Sequence, residues 1–421
     1  MPTTVATPVK VVDTKNLSID EYFGHVASKD GTASFAIVEV RAADEAGFQT
    51  PAFAEYIICD RGAIHFEHSD GTVTRIVAGE GAYLPANLRV RWSFPGPCSY
   101  AVVCLPAYSP EHCAVEEGGT IVDSAARKKL KEYHDCHAAA VAEAPAADDA
   151  SSRVVAVKPV AVVDAPGITI TEHFGHVATG DGVASLGKAV VKAASEEAWQ
   201  APQFDEYVIC ASGAIDFVHS DGSRVSVTAG QGAFLPRGMR VKWVWPEATT
   251  YFVLCLPAFS PELSGREAED GATVAKDSAS MRRLERLHEE QRAANVPAAA
   301  AAASPAKLCE LYVRTANAHD LRGLASMLSA DVDMFGGPCD LAGLEEFYTS
   351  YPEIQWRVTS EYAPLADNPR TVEFAYTRSW RAASGERLSV DAVETIAFDA
   401  DGKVAKIAYT RAPTEPRAVG A

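Results

Sequence analysis

FGHVASKDGTAS at residues 23–34 returns almost unchanged as FGHVATGDGVAS at residues 174–185. His25 becomes His176, an offset of 151 residues, and that offset holds without a gap well beyond the string itself. Glu55-Tyr56 matches Glu206-Tyr207, Gly62 matches Gly213, and His68-Ser69-Asp70-Gly71 matches His219-Ser220-Asp221-Gly222. Pro85 matches Pro236, Trp92 matches Trp243, and Ser109-Pro110-Glu111 matches Ser260-Pro261-Glu262. A period this long marks a duplicated domain, not a short stacking repeat.

Inside each copy, short apolar runs alternate with turn signals: Ser-Asp-Gly at a hairpin tip, then a Gly-x-Gly-Ala-Tyr/Phe-Leu-Pro step. Many short strands at regular spacing mean a sandwich or a barrel. Each copy closes on a charged helix, capped by Asp123 or Ser124 in one and by Asp277 or Ser278 in the other. Ala/Pro-rich stretches follow both copies and read as linkers. The expected plan is therefore a first barrel with its helix over 1–138, a linker over 139–158, a second barrel with its helix over 159–292, a linker over 293–306 and a third domain over 307–415. In that third domain, helical periodicity begins at Ser304-Pro305, and strand-like runs follow at 355–362, 371–380, 388–398 and 404–409.

The chain has 421 residues, 48% of them hydrophobic, and a net charge of −18. That acidity argues against nucleic acid or an anionic membrane as partner, since both require a basic footprint. No apolar run reaches the ~18 residues that a membrane helix needs. The nine cysteines are an odd number, and Cys59, Cys104, Cys210 and Cys255 sit in apolar strand-like runs. They read as buried hydrophobes in a reducing compartment, so a cytoplasmic protein is expected. The sequence contains no Gly-rich phosphate loop, no Gly-x-Ser-x-Gly elbow and no Cys-x-x-Cys pair.

Two spaced motifs in each copy resemble those of the cupins. The first reads Gln49-x-Pro51-x3-Glu55-x6-Gly62, and again Gln200-x-Pro202-x3-Glu206-x6-Gly213. The second reads Gly79-x5-Pro85-x-Asn87-x2-Val90, and again Gly230-x5-Pro236-x-Gly238-x2-Val241. The string FDEYVICASGAIDF, with GQGAFLPRGMRV after it, is most similar to the ethanolamine-utilisation (EutQ-type) and ureidoglycine-aminohydrolase-type cupins. The resemblance implies a mainly β chain with two tandem cupin barrels. The three histidines that hold a metal in cupin enzymes are replaced here by Gln, Pro and Val, and the glutamate alone remains.

Period-2 geometry places Gln49, Pro51 and Glu55 on one face, toward the barrel interior with Val90 and Trp92. Gln200, Pro202, Glu206, Val241 and Trp243 repeat this in the second copy. One carboxylate, one amide and apolar walls are a poor cage for a divalent cation, so neither metal nor cofactor is expected. They suit a small-molecule pocket. Glu55 and Glu206 are the candidate acid/base groups, with Gln49, Gln200, Trp92 and Trp243 as binding residues. A hydrogen-bonded, purely structural role for both glutamates remains open at this point. His134, Cys136 and His137 read as a solvated helix end, because the second copy has His288, Glu290 and Gln291 there.

The third domain resembles the SnoaL-like cyclases of the nuclear transport factor 2-like superfamily, through Ala318-His319-Asp320-Leu321-x2-Leu324, Leu328-x2-Asp331-Val332 and VDAVETIAFDADGKVAKI. The resemblance implies an α+β cone with a pocket. The superfamily also contains dimerisation modules, so homo-oligomer formation through this domain is within its scope. Tyr376, Arg378 and Trp380 share a strand face and are candidate binding residues. Asp391 and Glu394 differ by three residues and so point to opposite faces; Asp391 is taken as the pocket residue. The function expected is metal-independent binding, isomerisation or cyclisation of a small, mostly apolar metabolite. The alternative is a structural, assembly role for degenerate barrels, and a metal-dependent cupin enzyme is the reading the ligand positions support least.

Overall fold

The computed structural model describes residues 3–116, 124–135, 153–268, 274–276, 278–302, 304–317, 319, 321–382, 384–399 and 402–419. The chain is mainly β. The apolar alternation of each copy is realised as two antiparallel sheets, seven and five strands in the first copy and seven and four in the second. In the first copy Ile57, Ile64, Phe66, Ile76, Val90 and Trp92 close the space between the sheets, giving the jelly-roll architecture expected of a cupin.

Strand pairing crosses from one copy to the other. Strand Thr4–Ala6 adds to Gly232–Leu235 of the second barrel, and Val155–Val157 adds to Gly81–Leu84 of the first. The stretch 139–158, expected as a linker, thus ends in a strand of the first barrel's sheet. The contacts around it are reciprocal. Phe23 meets Tyr207 edge-on at 5.2 Å between ring centroids, and Phe174 meets Tyr56 in the same way at 5.2 Å. Tyr56 Oη donates to Asp181 Oδ2 at 3.0 Å, and Tyr207 Oη donates to Asp30 Oδ2 at 2.9 Å. Phe23, Phe35, Tyr56 and Val103 share one buried cluster with Phe174, Leu186, Tyr207 and Leu254. Residues Met1–Glu285 accordingly form one compact unit, not two.

The repeated string owes its composition to this junction. Glu21 Oε1 accepts from the backbone N–H groups of Val26 and Ala27 at 2.9 and 2.8 Å, and Glu172 Oε1 accepts from Val177 and Ala178 at 2.8 Å each. The carboxylate thereby ties the Gly-His-Val-Ala turn that presents the phenylalanine. Gly24 and Gly175 both have φ of 141°, and a Cβ at either would lie 2.8 Å or less from the glutamate carboxyl carbon. Only glycine fits there.

The second compact unit is Arg286–Ala421. Within it helices Pro305–Asn317, Leu321–Met327 and Leu341–Ser350 accompany one curved sheet built on Thr371–Arg381, Arg387–Phe398 and Val404–Arg411. Leu328 opens the strand Leu328–Met334, which pairs in parallel with Val404–Arg411. Residues 293–302 of the stretch expected as a linker belong to the helix Ala279–Ala302, in keeping with the helix propensity of alanine. Among the described residues no helix is long and apolar enough to cross a membrane.

The junction sets a stability prediction. Phe174→Ala should cost about 3–5 kcal/mol, the usual loss for a fully buried phenylalanine, and calorimetry should show residues 1–285 still melting in a single transition. Two separate barrel transitions in the wild type would contradict the shared core.

Candidate functional site

The first barrel encloses a cavity of about 200 Å³. Its walls are mostly apolar, with Val12, Val38, Phe53, Trp92 and Phe94 among them. Polar groups that reach it include Glu55, Gln49, Glu21, Ser34, Tyr100 and Tyr108. Gln49 and Glu55 do not share a strand, as the spacing suggested. Gln49 and Pro51 end the strand Asp44–Pro51, the chain turns at Ala52 and Phe53, and Glu55 stands on Ala54–Arg61 in the facing sheet. Gln49 and Glu55 converge because the two sheets face each other across the cavity.

Glu55 is buried, and its Oε2 has no hydrogen-bond partner. Taking a carboxylate out of water without compensation favours the neutral form, and burial pushes Glu55 up to about 8 from the usual 4.5. At neutral pH it is a carboxylic acid facing an apolar chamber. Trp92 Nε1 is likewise buried without a partner. The structural reading of Glu55, in which hydrogen bonds satisfy it, is not what the geometry gives.

The second barrel repeats these positions with a different filling. Gln200, Glu206 and Trp243 line a cavity of about 90 Å³. Where the first barrel has Ala46 and Val115, the second has Glu197 and Arg266, a buried ion pair at 2.6 Å. The pair takes up the room that the smaller side chains leave open in the first copy. Glu206 is also raised to about 8, by burial first and by the Glu197 charge second, with Arg266 opposing. Arg240 and Lys242 point away from the cavity and pair with Glu267 and Glu196.

The cupin ligand positions do not fit a metal. Gln49, Pro51 and Val90 offer no imidazole, Val90 is wholly buried, and Glu55 is left as the one carboxylate. Among the described residues no group of three or more His, Cys, Asp and Glu side chains is placed to hold an ion. His134, expected at a solvated helix end, is instead buried against His25 and Tyr108, with ring centroids 5.9 and 5.6 Å away. Cys136 and His137 lie outside the described residues.

In the third domain a separate cavity of about 250 Å³ is lined by Arg378 and Glu394. Asp391 does not reach it. It points to the other face of its strand, where it pairs with Arg417 at 2.5 Å and accepts from Thr377 at 2.7 Å, and that guanidinium holds its carboxyl below the usual range. Glu394, three residues on, takes the inner face. Tyr376 serves the cavity indirectly, donating its hydroxyl to Glu394 at 2.8 Å. Trp380 packs with Ile354 and Val390, away from the wall. The alternation in VDAVETIAF did mark Ala392, Glu394, Ile396 and Phe398 as one face, but apolar residues on both faces hid which one was buried.

No protein-family model matches the chain. One curated protein, the endoribonuclease YbeY of Myxococcus xanthus, is 35% identical over 103 residues, which is 24% of this chain and 35% of that protein. The match thus spans about a third of that relative's length. Among solved structures the chain is similar to oxalate decarboxylase from Bacillus subtilis, at 11% identity and a TM-score of 0.43 over 61% of this chain and 78% of that one. It is also similar to the coconut allergen cocosin, at 10% identity and a TM-score of 0.45 over 61% and 85%. A third similar structure is AerE from Microcystis aeruginosa, at 7% and 0.40 over 60% and 98%. The activities in these names are those proteins' own.

The raised carboxyls give stability a definite pH dependence. Below about 4.5 Glu55 is protonated in both folded and unfolded chains. Between 4.5 and about 8 the unfolded chain ionises while the folded one does not, so stability falls as pH rises through that window and levels off above it. Glu55→Gln should remove its share of the slope, so that the variant's melting temperature gains on the wild type between pH 5 and pH 8. Parallel melting curves across that range would refute a neutral Glu55.

Proposed function

We propose that the first barrel is a metal-independent binding site for a small, mostly apolar molecule carrying one hydrogen-bond acceptor such as a carbonyl. The observation that carries this reading is the unpartnered Glu55 Oε2, buried in an apolar cavity of about 200 Å³. A protonated carboxyl in that setting is a hydrogen-bond donor without an acceptor, and a bound carbonyl oxygen supplies one. Gln49 gives a second polar anchor, and the aromatic and aliphatic walls take the rest of the ligand. By donating that hydrogen bond Glu55 would polarise a bound carbonyl, which is the acid half of an isomerisation or cyclisation.

A different role suits the second barrel. Its Glu197–Arg266 pair accompanies a smaller cavity of about 90 Å³, and the second copy contributes to the shared core through Phe174. We read it as the scaffold half of the pair, the assembly role weighed for these barrels.

Cyclohexanone and cyclohexane serve as matched probes, titrated calorimetrically into chelator-treated protein. The ketone should bind more tightly than the hydrocarbon. Glu55→Leu should weaken the ketone by about tenfold, the worth of one buried hydrogen bond, while Glu206→Leu leaves it unchanged. Equal binding of the ketone by wild type and Glu55→Leu would end the proposal.

A further inference from the structure

The third domain holds a cation in an unusual setting. Arg378 is 9% exposed, lines the 250 Å³ cavity, and its Nε has no hydrogen-bond partner. Its guanidinium makes one long contact, from Nη1 to Tyr409 Oη at 3.4 Å. The rings of Tyr351 and Phe347 lie 5.6 and 5.9 Å from its central carbon. A buried guanidinium is ordinarily held by a carboxylate that accepts from two of its N–H groups. Here the neighbouring carboxylate, Glu394, has Oε2 engaged with the Tyr376 hydroxyl.

From this we infer that the third-domain cavity is a binding site for a small aromatic carboxylate, with Arg378 as its anchor. A ligand carboxylate would take two of the five guanidinium N–H groups, including the orphaned Nε–H, in the fork geometry that lysine cannot reproduce. The rest of the wall suits a flat ring. Phe347, Tyr348 and Trp356 stand together on one side, with Phe347 and Trp356 nearly parallel at 6.3 Å. Phe335 lines the same cavity while remaining 46% exposed, with its ring stacked on Tyr409 at 4.4 Å. At about 250 Å³ the space is near the lower end of small-molecule sites, enough for one ring with its acid group.

Charge balance supports the class of ligand. Glu394 is pushed up to about 7 by burial, against the opposing effects of Tyr376 and Arg378. When Glu394 is neutral, Arg378 is the charge left among the lining residues, and a ligand carboxylate meets no repulsion there. This inference concerns a different cavity from the barrel site and stands independently of it.

Benzoate, benzamide and the full-length chain test it. Benzoate should raise the melting temperature and quench tryptophan emission, and benzamide, the neutral isostere, should bind at least tenfold more weakly. Arg378→Gln should abolish benzoate binding, and Arg378→Lys should restore only part of it. Glu394→Gln removes the competing carboxylate and should bind benzoate as well as or better than the wild type, which guards against a trivial folding defect at Arg378. Glu55→Leu should leave benzoate binding intact, separating this site from the barrel. Equal affinity for benzoate and benzamide, benzoate binding that survives Arg378→Gln, or no benzoate binding to the wild type would each overturn the assignment.

Discussion

The reciprocal insertion of Phe23 and Phe174 is the contact on which the two-barrel half depends. Each ring leaves its own copy, meets a tyrosine of the other, and lies beside the glycine of the strand that accepts a foreign partner. A Cβ at Gly81 would come within 3.0 Å of Phe174, and one at Gly232 within 3.1 Å of Phe23. The glycines are therefore part of the seat for each ring. Thr4–Ala6 extends the second barrel's sheet and Val155–Val157 the first's, and the two barrels share a buried cluster beside the first barrel's own core. The glutamates that hold the phenylalanine turns, Glu21 and Glu172, also line the two cavities, so the junction and the interiors share side chains.

A symmetric junction leaves the interiors free to differ. The outer pairing is matched residue for residue, Tyr56 with Asp181 and Tyr207 with Asp30. Inside, Ala46 and Val115 face Glu197 and Arg266 at the equivalent places. Desolvating two charges is costly, and a buried pair is stable only with good geometry and further hydrogen bonds. Arg266 Nη1 also donates to Val274 O at 3.1 Å, while its Nε is buried without a partner. The outcome is a larger, mostly apolar cavity in one barrel and a smaller one beside an ion pair in the other.

The two-barrel fold was legible because the 151-residue offset is carried by residues with fixed geometric duties: the capping glutamate, the glycine at positive φ and the buried phenylalanine. Parity also brought Glu55, Glu206, Trp92 and Trp243 inside, since a strand offers only two faces. What could not be read was pairing between distant segments. Val155-Ala156-Val157 is too short to announce itself, and its partner strand lies in the other copy. The same limit misjudged Gln49 and Glu55, whose spacing straddles a turn between sheets. Asp391 and Glu394 were separable by parity, but the choice between them needed the location of Arg417, which reaches Asp391 from the chain's far end and holds it outside. His134 looked solvated for a related reason, since its burial comes from His25 and Tyr108, both remote in sequence.

Each of the three cavities contains a carboxyl raised by burial, two of them in the second barrel (Glu172 and Glu206), and the neighbours of Glu55, Glu206 and Glu394 give each a different character. Glu55 stands among apolar walls with burial as the cause of its shift, so its proton is available to whatever enters. Glu206 shares its barrel with an ion pair whose carboxylate raises it and whose guanidinium lowers it, inside a cavity less than half the size. Glu394 sits between a tyrosine hydroxyl and Arg378, both of which favour its charged form, and it stays lower for that reason. A raised carboxyl by itself therefore says little about function. Unpartnered polar atoms occur in all three cavities, Glu206 Oε2 and Arg266 Nε in the second barrel among them, and the two that carry the ligand readings are a neutral acid's oxygen in the first barrel and a guanidinium nitrogen in the third domain. The first calls for an acceptor and the second for an anion, so the two domains are suited to ligands of different charge.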